Sequence, residues 1–248
     1  MMTIGLIVTS LFGLLFVLQE KMIFFPEKLP QDYQFHFASA FEEIVVSSKD
    51  GTKLHSLYFP LDSAKALVVY FHGNAGSLRG WGAVAEEFLQ HGYAVLVTDY
   101  RGYGKSEGKI SKERHLYEDA DAIYQYAKSI YPEEKILLYG TSLGTGIAAY
   151  LASSNQPGRL ILQSPYYSFQ DLAKTLYPLA PRFLLRYNLP VHKYLAKANM
   201  PIHIVHGTED KIIPIAQSEK LKAEFPDIDF VRVPGGGHNN LSSWLPDL

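Results

Sequence analysis

Residues 135–146 read Lys135-Ile136-Leu137-Leu138-Tyr139-Gly140-Thr141-Ser142-Leu143-Gly144-Thr145-Gly146. A short apolar run leads directly into G-x-S-x-G, and a helical pattern rich in small residues, Leu143–Ser153, comes next. An apolar run of this length, bounded by glycine, predicts a buried strand, which places the serine on a strand-to-helix turn. So tight a turn forces Ser142 into a strained backbone conformation, and Gly140 and Gly144 carry no Cβ to clash across it. The hydroxyl then projects at a helix N-terminus, where backbone N–H groups favour developing negative charge.

A second stretch, Gly104-Lys105-Ser106-Glu107-Gly108, matches the same pattern. It lies inside the glycine-rich segment Tyr100–Lys109, with no strand directly before it and no helix directly after. The motif has chemical meaning only in its strand–turn–helix setting, so Ser142 is the expected nucleophile and Ser106 is expected in a surface loop.

Outward from Ser142, short apolar runs alternate with helical patterns. The runs are Ala66–Phe71, Ala94–Thr98, Lys135–Tyr139, Leu160–Gln163, Ile202–Val205 and Phe230–Val233; the helical patterns are Gly80–Gln90, Ser111–Ile130, Leu143–Ser153 and Pro214–Phe225. Ahead of them Glu42–Ser47 and Lys53–Phe59 read as strands around a Lys49-Asp50-Gly51 turn. This predicts an α/β fold, a mostly parallel sheet covered by helices on both faces. In such sheets working residues collect beyond the carboxyl ends of the strands.

The segments just past the runs are therefore informative. His72-Gly73-Asn74-Ala75-Gly76 succeeds the first run, a small-residue loop whose N–H groups can bind an oxyanion together with that of Leu143. Asn74 is the expected donor, with Ala75 the alternative; His72 is expected to shape the loop by hydrogen bonding. His206-Gly207-Thr208-Glu209-Asp210 and Pro234-Gly235-Gly236-Gly237-His238 succeed the last two runs. A serine hydroxyl needs a base to take its proton, and an acid to hold that base in the right tautomer. Ser142, Asp210 and His238 supply these in the chain order expected for this sheet. Glu209 is the rival acid, while His203 and His206, within or ending a strand, are expected to pack or bridge backbone.

Composition removes competing classes. The chain carries 23 Lys+Arg and 25 Asp+Glu, for a net charge of −2, so no basic surface for nucleic acid is implied. It has no cysteine, which excludes disulfides, thiolate metal sites and a cysteine nucleophile. No His or carboxylate spacing marks a metal site, and no dinucleotide fingerprint comes after a strand, so no cofactor is expected.

Met1–Gln19 has no charged side chain. As a helix it would span about 28 Å, near the hydrocarbon thickness of a bilayer. No Lys or Arg precedes residue 21, and the first Ala-x-Ala, Ala38-Ser39-Ala40, comes late for a signal peptidase. Residues 1–25 are thus expected to form an uncleaved, single-pass membrane anchor, with a signal peptide and a buried helix as alternatives, and 26–248 the globular domain. Lys21 and Lys28, after the run, tip that domain towards the cytoplasm.

The segments FHGNAG (71–76), DYRGYGKSEG (99–108), GTSLGTG (140–146), HGTEDKIIP (206–214) and GGGHNN (235–240), taken in order, resemble the alpha/beta-hydrolase superfamily. The chain is most similar to its small, often membrane-anchored branch that includes the bud-emergence-homologue hydrolases and eukaryotic protein depalmitoylases; MIFFPEKLP (22–30) also fits that branch. The resemblance implies a sheet of about eight strands, Ser142 as nucleophile, Asp210 as acid, His238 as base, and Asn74 with Leu143 for the oxyanion. Asp99, Arg101 and Gly102 correspond to loop-organising residues. The chain departs from the pattern after His238, where ten residues leave little room for a closing helix.

Substrate selection is expected from a short helical lid insert, residues 164–199, whose Tyr166, Tyr167, Phe169 and Leu176 belong to an apolar-aromatic face. The expected reaction is acyl transfer to water, with a small-molecule or lipidated acyl ester or thioester as substrate. Two alternatives stand beside it: a serine peptidase using the same triad, which acidic insert residues would favour (Asp171 is the one available), and a non-catalytic membrane-tethered interaction protein.

Overall fold

The computed structural model describes residues 16, 18–178 and 185–241. Two short strands, β1 (Phe25–Pro26) and β5 (Ala75–Gly76), pair with each other apart from the principal sheet. The strands of the principal sheet are β2 (Glu42–Ser47), β3 (Lys53–Phe59), β4 (Leu67–Phe71), β6 (Ala94–Thr98), β7 (Ile136–Thr141), β8 (Arg159–Gln163), β9 (Ile202–Gly207) and β10 (Asp229–Val233). Their order is β10-β9-β8-β7-β4-β6-β3-β2. Pairing is parallel from β10 through to β6, and β3 is antiparallel to both of its neighbours. Every strand expected from the sequence is present to within two residues at either end.

The pattern of each strand explains its place. β4, β6 and β7 are buried along their whole length, as continuous Leu/Val/Ile/Tyr runs require when both faces are covered. On β4, Leu67, Val69 and Phe71 enter the core on one face of the sheet, while Val68 and Tyr70 enter the core on the other. The edge strand β2 is nowhere fully buried. The short helices α1 (Leu78–Trp81) and α2 (Ala85–Gln90) link β5 to β6. Helix α3 (Glu113–Ile130) lays Leu116, Ala120, Ile123, Tyr124 and Ala127 on the first face, a stripe at helical spacing. Helix α4 (Leu143–Ala152) is buried almost completely, which its Gly, Ala and Thr content permits.

Parallel register brings the functional loops together. Phe71 pairs with Gly140, Thr141 with Gln163, Gln163 with Val205, and Val233 with Gly207. The chain therefore leaves β4, β7, β8, β9 and β10 at the same edge of the sheet. The insert contributes helix α5 (Phe169–Leu176), capped by Ser168, and helix α6 (Val191–Leu195). The Glu113 carboxylate accepts hydrogen bonds from the Asn188 and Leu189 N–H groups and so ties the insert to α3.

One expectation is corrected and another is bounded. Ser106 is not in a surface loop. It is buried, with the His55 N–H donating to Ser106 Oγ (2.8 Å) and the Ser106 O–H donating to the Asp99 carbonyl (2.8 Å). Next to the expected boundary at residue 25, Gln19 and Phe24 are buried. Phe24 meets the Tyr187 ring edge-on at 5.1 Å, and Glu20 pairs with Arg186 at 2.6 Å. Most of the expected anchor (1–15 and 17) and the segment after Leu241 lie outside the described residues. Among the described residues no helix is long and apolar enough to cross a membrane.

The loop after β6 is organised by Arg101, which is 3% exposed. Its Nε donates to Asp119 Oδ2 (2.7 Å), Nη2 to Asp119 Oδ1 (2.5 Å) and Nη1 to Asp50 Oδ2 (2.8 Å). Removing the guanidinium strands the buried Asp119 carboxylate without its ion-pair partner. Arg101→Met is expected to cost about 3–5 kcal/mol in urea unfolding at neutral pH; a loss under about 1 kcal/mol would show that the pair is solvated like a surface bridge.

Candidate active site

Ser142 sits between β7 and α4 at φ +53°, ψ −115°. The geometry is held from both sides. Its N–H donates to the Gln163 carbonyl (2.9 Å), extending the β7–β8 ladder, and its carbonyl accepts from the Thr145 N–H (3.0 Å) and hydroxyl (2.6 Å). A Cβ on Gly144 would lie 2.0 Å from the Phe71 carbonyl oxygen, and one on Gly140 would lie 2.5 Å from the Gly144 carbonyl oxygen. Both glycines of the motif are therefore dictated by backbone contact, as expected from the sequence.

The Ser142 hydroxyl is 3.0 Å from His238 Nε2, and His238 Nδ1 is 2.7 Å from Asp210 Oδ2. The structure thus brings the three expected side chains into one hydrogen-bonded line. Glu209, the rival acid, instead uses its N–H to hold the Gly236 carbonyl (2.8 Å). The acid and histidine loops are stitched together: Thr208 N–H donates to Val233 O (3.0 Å) and Gly235 N–H to Thr208 Oγ1 (2.9 Å). At Gly207 a Cβ would lie 2.2 Å from the Gly236 carbonyl oxygen, so the loops touch through bare backbone.

Asp210 is further anchored. Its Oδ1 accepts from the Ile212 N–H (2.9 Å) and the Ile213 N–H (2.8 Å). His206 Nε2 stands 2.8 Å from the Ile213 carbonyl and 3.2 Å from Asp210 Oδ2. A carbonyl only accepts, so His206 carries a proton on Nε2, and its Nδ1 is hydrogen-bonded to the Ser218 hydroxyl at 2.6 Å. His206, expected merely to pack or bridge backbone, is thus also a support of the acid. Burial raises the pKa of the Asp210 carboxyl, but hydrogen bonds from His206, His238 and the Ile213 N–H outweigh burial and hold it well below the ordinary carboxylate range.

The loop after β4 lies beside Ser142. A Cβ on Gly73 would be 3.8 Å from the Ser142 Cβ and in contact with the Trp81 ring. His72 is fully buried, stacks on Trp81 and places Nδ1 2.7 Å from the Gly73 carbonyl, which makes it a loop-shaping residue. Asn74 and Ser142 both line a cleft of about 430 Å³. Trp81, Val84, Ile212 and Leu241 give it apolar walls. Tyr70, Thr141 and Gln163 make its polar part, with Tyr70 and Thr141 hydroxyls 2.7 Å apart and Gln163 Oε1 held by the Tyr139 hydroxyl (2.8 Å).

The expected insert residues are elsewhere, and none lines this cleft. Tyr166 is buried, its hydroxyl donating to the Leu143 carbonyl (3.1 Å), and Phe169 meets its ring edge-on. Tyr167 stacks on His192 and donates to Glu224 (2.7 Å). Leu176 is 42% exposed. The three rings thus make contacts within the insert and with the elements beside it. Asp171 is engaged by Lys220 (2.5 Å) and by the Gln217 amide (2.8 Å), and no acidic side chain lines the cleft among the described residues.

Known proteins share the family and the fold. Residues 62–193, more than half the chain, match the family model described as serine aminopeptidase, S33; residues 180–243 match the model described as alpha/beta hydrolase fold. An uncharacterized Mycobacterium tuberculosis protein is 34% identical over 245 residues, covering 96% of this chain and 86% of that one. The Caenorhabditis elegans alpha/beta hydrolase domain-containing protein aho-3 is 32% identical, covering 73% of this chain and 55% of its own. A Pyrococcus furiosus esterase superposes with a TM-score of 0.66 at 19% identity, covering 87% of this chain and 90% of its own. A thioesterase domain from the curacin biosynthetic pathway superposes with a TM-score of 0.61 at 16% identity, over 81% of this chain and 95% of that domain. The chain belongs to the alpha/beta-hydrolase superfamily, in the family of that serine aminopeptidase, S33 model. It is a serine hydrolase.

Because the native pKa of Asp210 lies below its ordinary value of 3.8, the stability it contributes is fully present above that pH and drains away as the pH falls towards the native value. The stability difference between wild type and Asp210→Asn is therefore expected to shrink between about pH 5 and about pH 3, read by thermal unfolding. A gap that stays constant or widens on acidification would mean the carboxylate is not preferentially ionised in the folded protein.

Proposed function

We propose that the protein cleaves carboxylic esters or thioesters through an acyl-Ser142 intermediate. His238 Nε2 takes the Ser142 proton as Oγ attacks the acyl carbon. The Leu143 and Asn74 N–H groups receive the negative charge of the tetrahedral intermediate. His238 then returns the proton to the leaving alcohol or thiol, and a water molecule, deprotonated by the same imidazole, releases the acid. Asp210 stays ionised throughout and stabilises the imidazolium. The observation that carries this reading is the relay of 2.7 and 3.0 Å from Asp210 through His238 to Ser142, opening on a cleft.

The family model's description raises a peptidase as second reading. A peptidase that selects a free amino terminus needs a carboxylate near the scissile bond, and the described cleft lining offers none. Asp171, the acidic residue of the insert, is already neutralised by Lys220. The uncharged run Met1–Gln19 supports membrane tethering, and with it the membrane-anchored depalmitoylase-like branch. Retention of the full chain in the membrane pellet after alkaline carbonate extraction, and its release once residues 1–19 are deleted, is the expected behaviour of an anchor.

Wild-type protein is expected to hydrolyse short-chain p-nitrophenyl esters and to react with a fluorophosphonate probe. Ser142→Ala should lower turnover by at least about 10³-fold and abolish labelling. Ser106→Ala should keep labelling, since that hydroxyl bonds backbone in the interior. Faster turnover of aminoacyl anilides than of esters would establish the peptidase instead, and a wild type that neither labels nor turns over would leave a non-catalytic member.

A further inference from the structure

The chain just after the uncharged run does not simply leave the domain. It passes alongside the loop that carries Asn74. Phe25 and Pro26 pair in parallel with Ala75 and Gly76, forming the small β1–β5 ladder. The Phe25 N–H donates to the Asn74 carbonyl (2.9 Å), and the Asn74 side-chain amide donates to the Ile23 carbonyl (2.7 Å). The Glu27 N–H donates to the Gly76 carbonyl (2.9 Å), and the Ser77 hydroxyl donates to the Glu27 carboxylate (2.7 Å). Tyr103, from the loop after β6, adds its hydroxyl to the Asn74 carbonyl (2.8 Å).

Asn74 is therefore gripped at its carbonyl and at its side chain by residues upstream of the sheet. The same segment reaches the insert: the Arg186 N–H donates to Gln19 Oε1 (2.7 Å) and the Tyr187 hydroxyl to Glu20 Oε1 (2.9 Å). His72 at the Gly73 carbonyl (2.7 Å) and Trp81 Nε1 at the Ala75 carbonyl (2.8 Å) hold the loop on either side of Asn74, and Asn74 itself is held by the upstream segment and Tyr103; an oxyanion donor is useful only when held in place before the charge develops.

We propose that residues 23–27 are a strap that positions the oxyanion loop, with the Phe25 N–H and the Asn74 side chain as its positioning groups. The proposal rests on the acyl-serine reading above. The strap makes the N-terminal segment part of the working enzyme and gives any pull on that segment a route to the reacting centre.

The test uses the full-length chain. Phe25→Pro removes one N–H and an exposed ring; Asn74→Ala keeps the backbone N–H and removes the bond to Ile23. Each is expected to lower kcat for a p-nitrophenyl ester by about 10–10²-fold, with KM within about twofold of wild type. Hydrogen–deuterium exchange at residues 74–76 should quicken while exchange in β4 and β7 stays slow. Phe25→Leu, which keeps the N–H, should recover kcat. Unchanged exchange at 74–76, or kcat within about twofold of wild type in either folded variant, would overturn the proposal. So would a loss of kcat shared equally by Phe25→Leu. Failure of the acyl-serine reading looks different: Ser142→Ala would then turn over ester as wild type does, and the exchange measurement would still decide whether the strap holds the loop.

Discussion

One backbone conformation supports the rest of the site: Ser142 at positive φ, where a residue with a side chain is unfavourable. The turn persists because its surroundings over-determine it. The Gln163 carbonyl fixes its N–H, Thr145 fixes its carbonyl twice over, and the Phe71 backbone leaves no room for a side chain at Gly144 where the helix starts. The consequence is chemical. A serine in an ordinary helix or strand would lie along the element; here it stands at the junction, beside the loop after β4 and within reach of His238.

The second requirement is that an imidazole and a carboxylate from other strands arrive at the same point. Register accomplishes the coarse placement, since β7 to β10 end together. The fine placement comes from contacts between the two loops, through the Gly207–Gly236 approach and the hydrogen bonds of Thr208 and Glu209. Asp210 is then oriented by two N–H groups on one oxygen, while His206 and His238 share the other. Fixed dipoles of this kind stabilise charge with no reorganisation at the moment of reaction.

The same division decides how much was legible in the sequence. Strand ends, and the loops that bring Ser142, Asp210 and His238 together, could be read because continuous apolar runs and glycine-flanked turns are local signals. The position of the insert's rings was not legible. Tyr166 and Phe169 carry the same apolar signal whether they line a cleft or pack beneath the Ser142 helix, and only tertiary contacts separate the two. Ser106 misled for a related reason: its polarity reads as surface, yet its hydroxyl closes a buried link between β3 and the end of β6. His206 stands four residues before Asp210 at a strand end, a spacing that hints at its part in holding the acid. The docking of Gln19 and Phe24 was hidden because an uncharged run dominates the reading of everything beside it, although Glu20 and its partner Arg186 lie far apart in sequence.

The most direct measurement is rapid quenching of the enzyme during ester turnover, with tryptic digestion and mass spectrometry of the trapped protein. Trypsin should release Ile136–Arg159, the peptide that contains Ser142. The acyl mass is expected on that peptide, localised by fragmentation to Ser142. Turnover with no acyl adduct at Ser142, or with the adduct on the peptide carrying Ser106, would contradict acyl-serine catalysis at this turn.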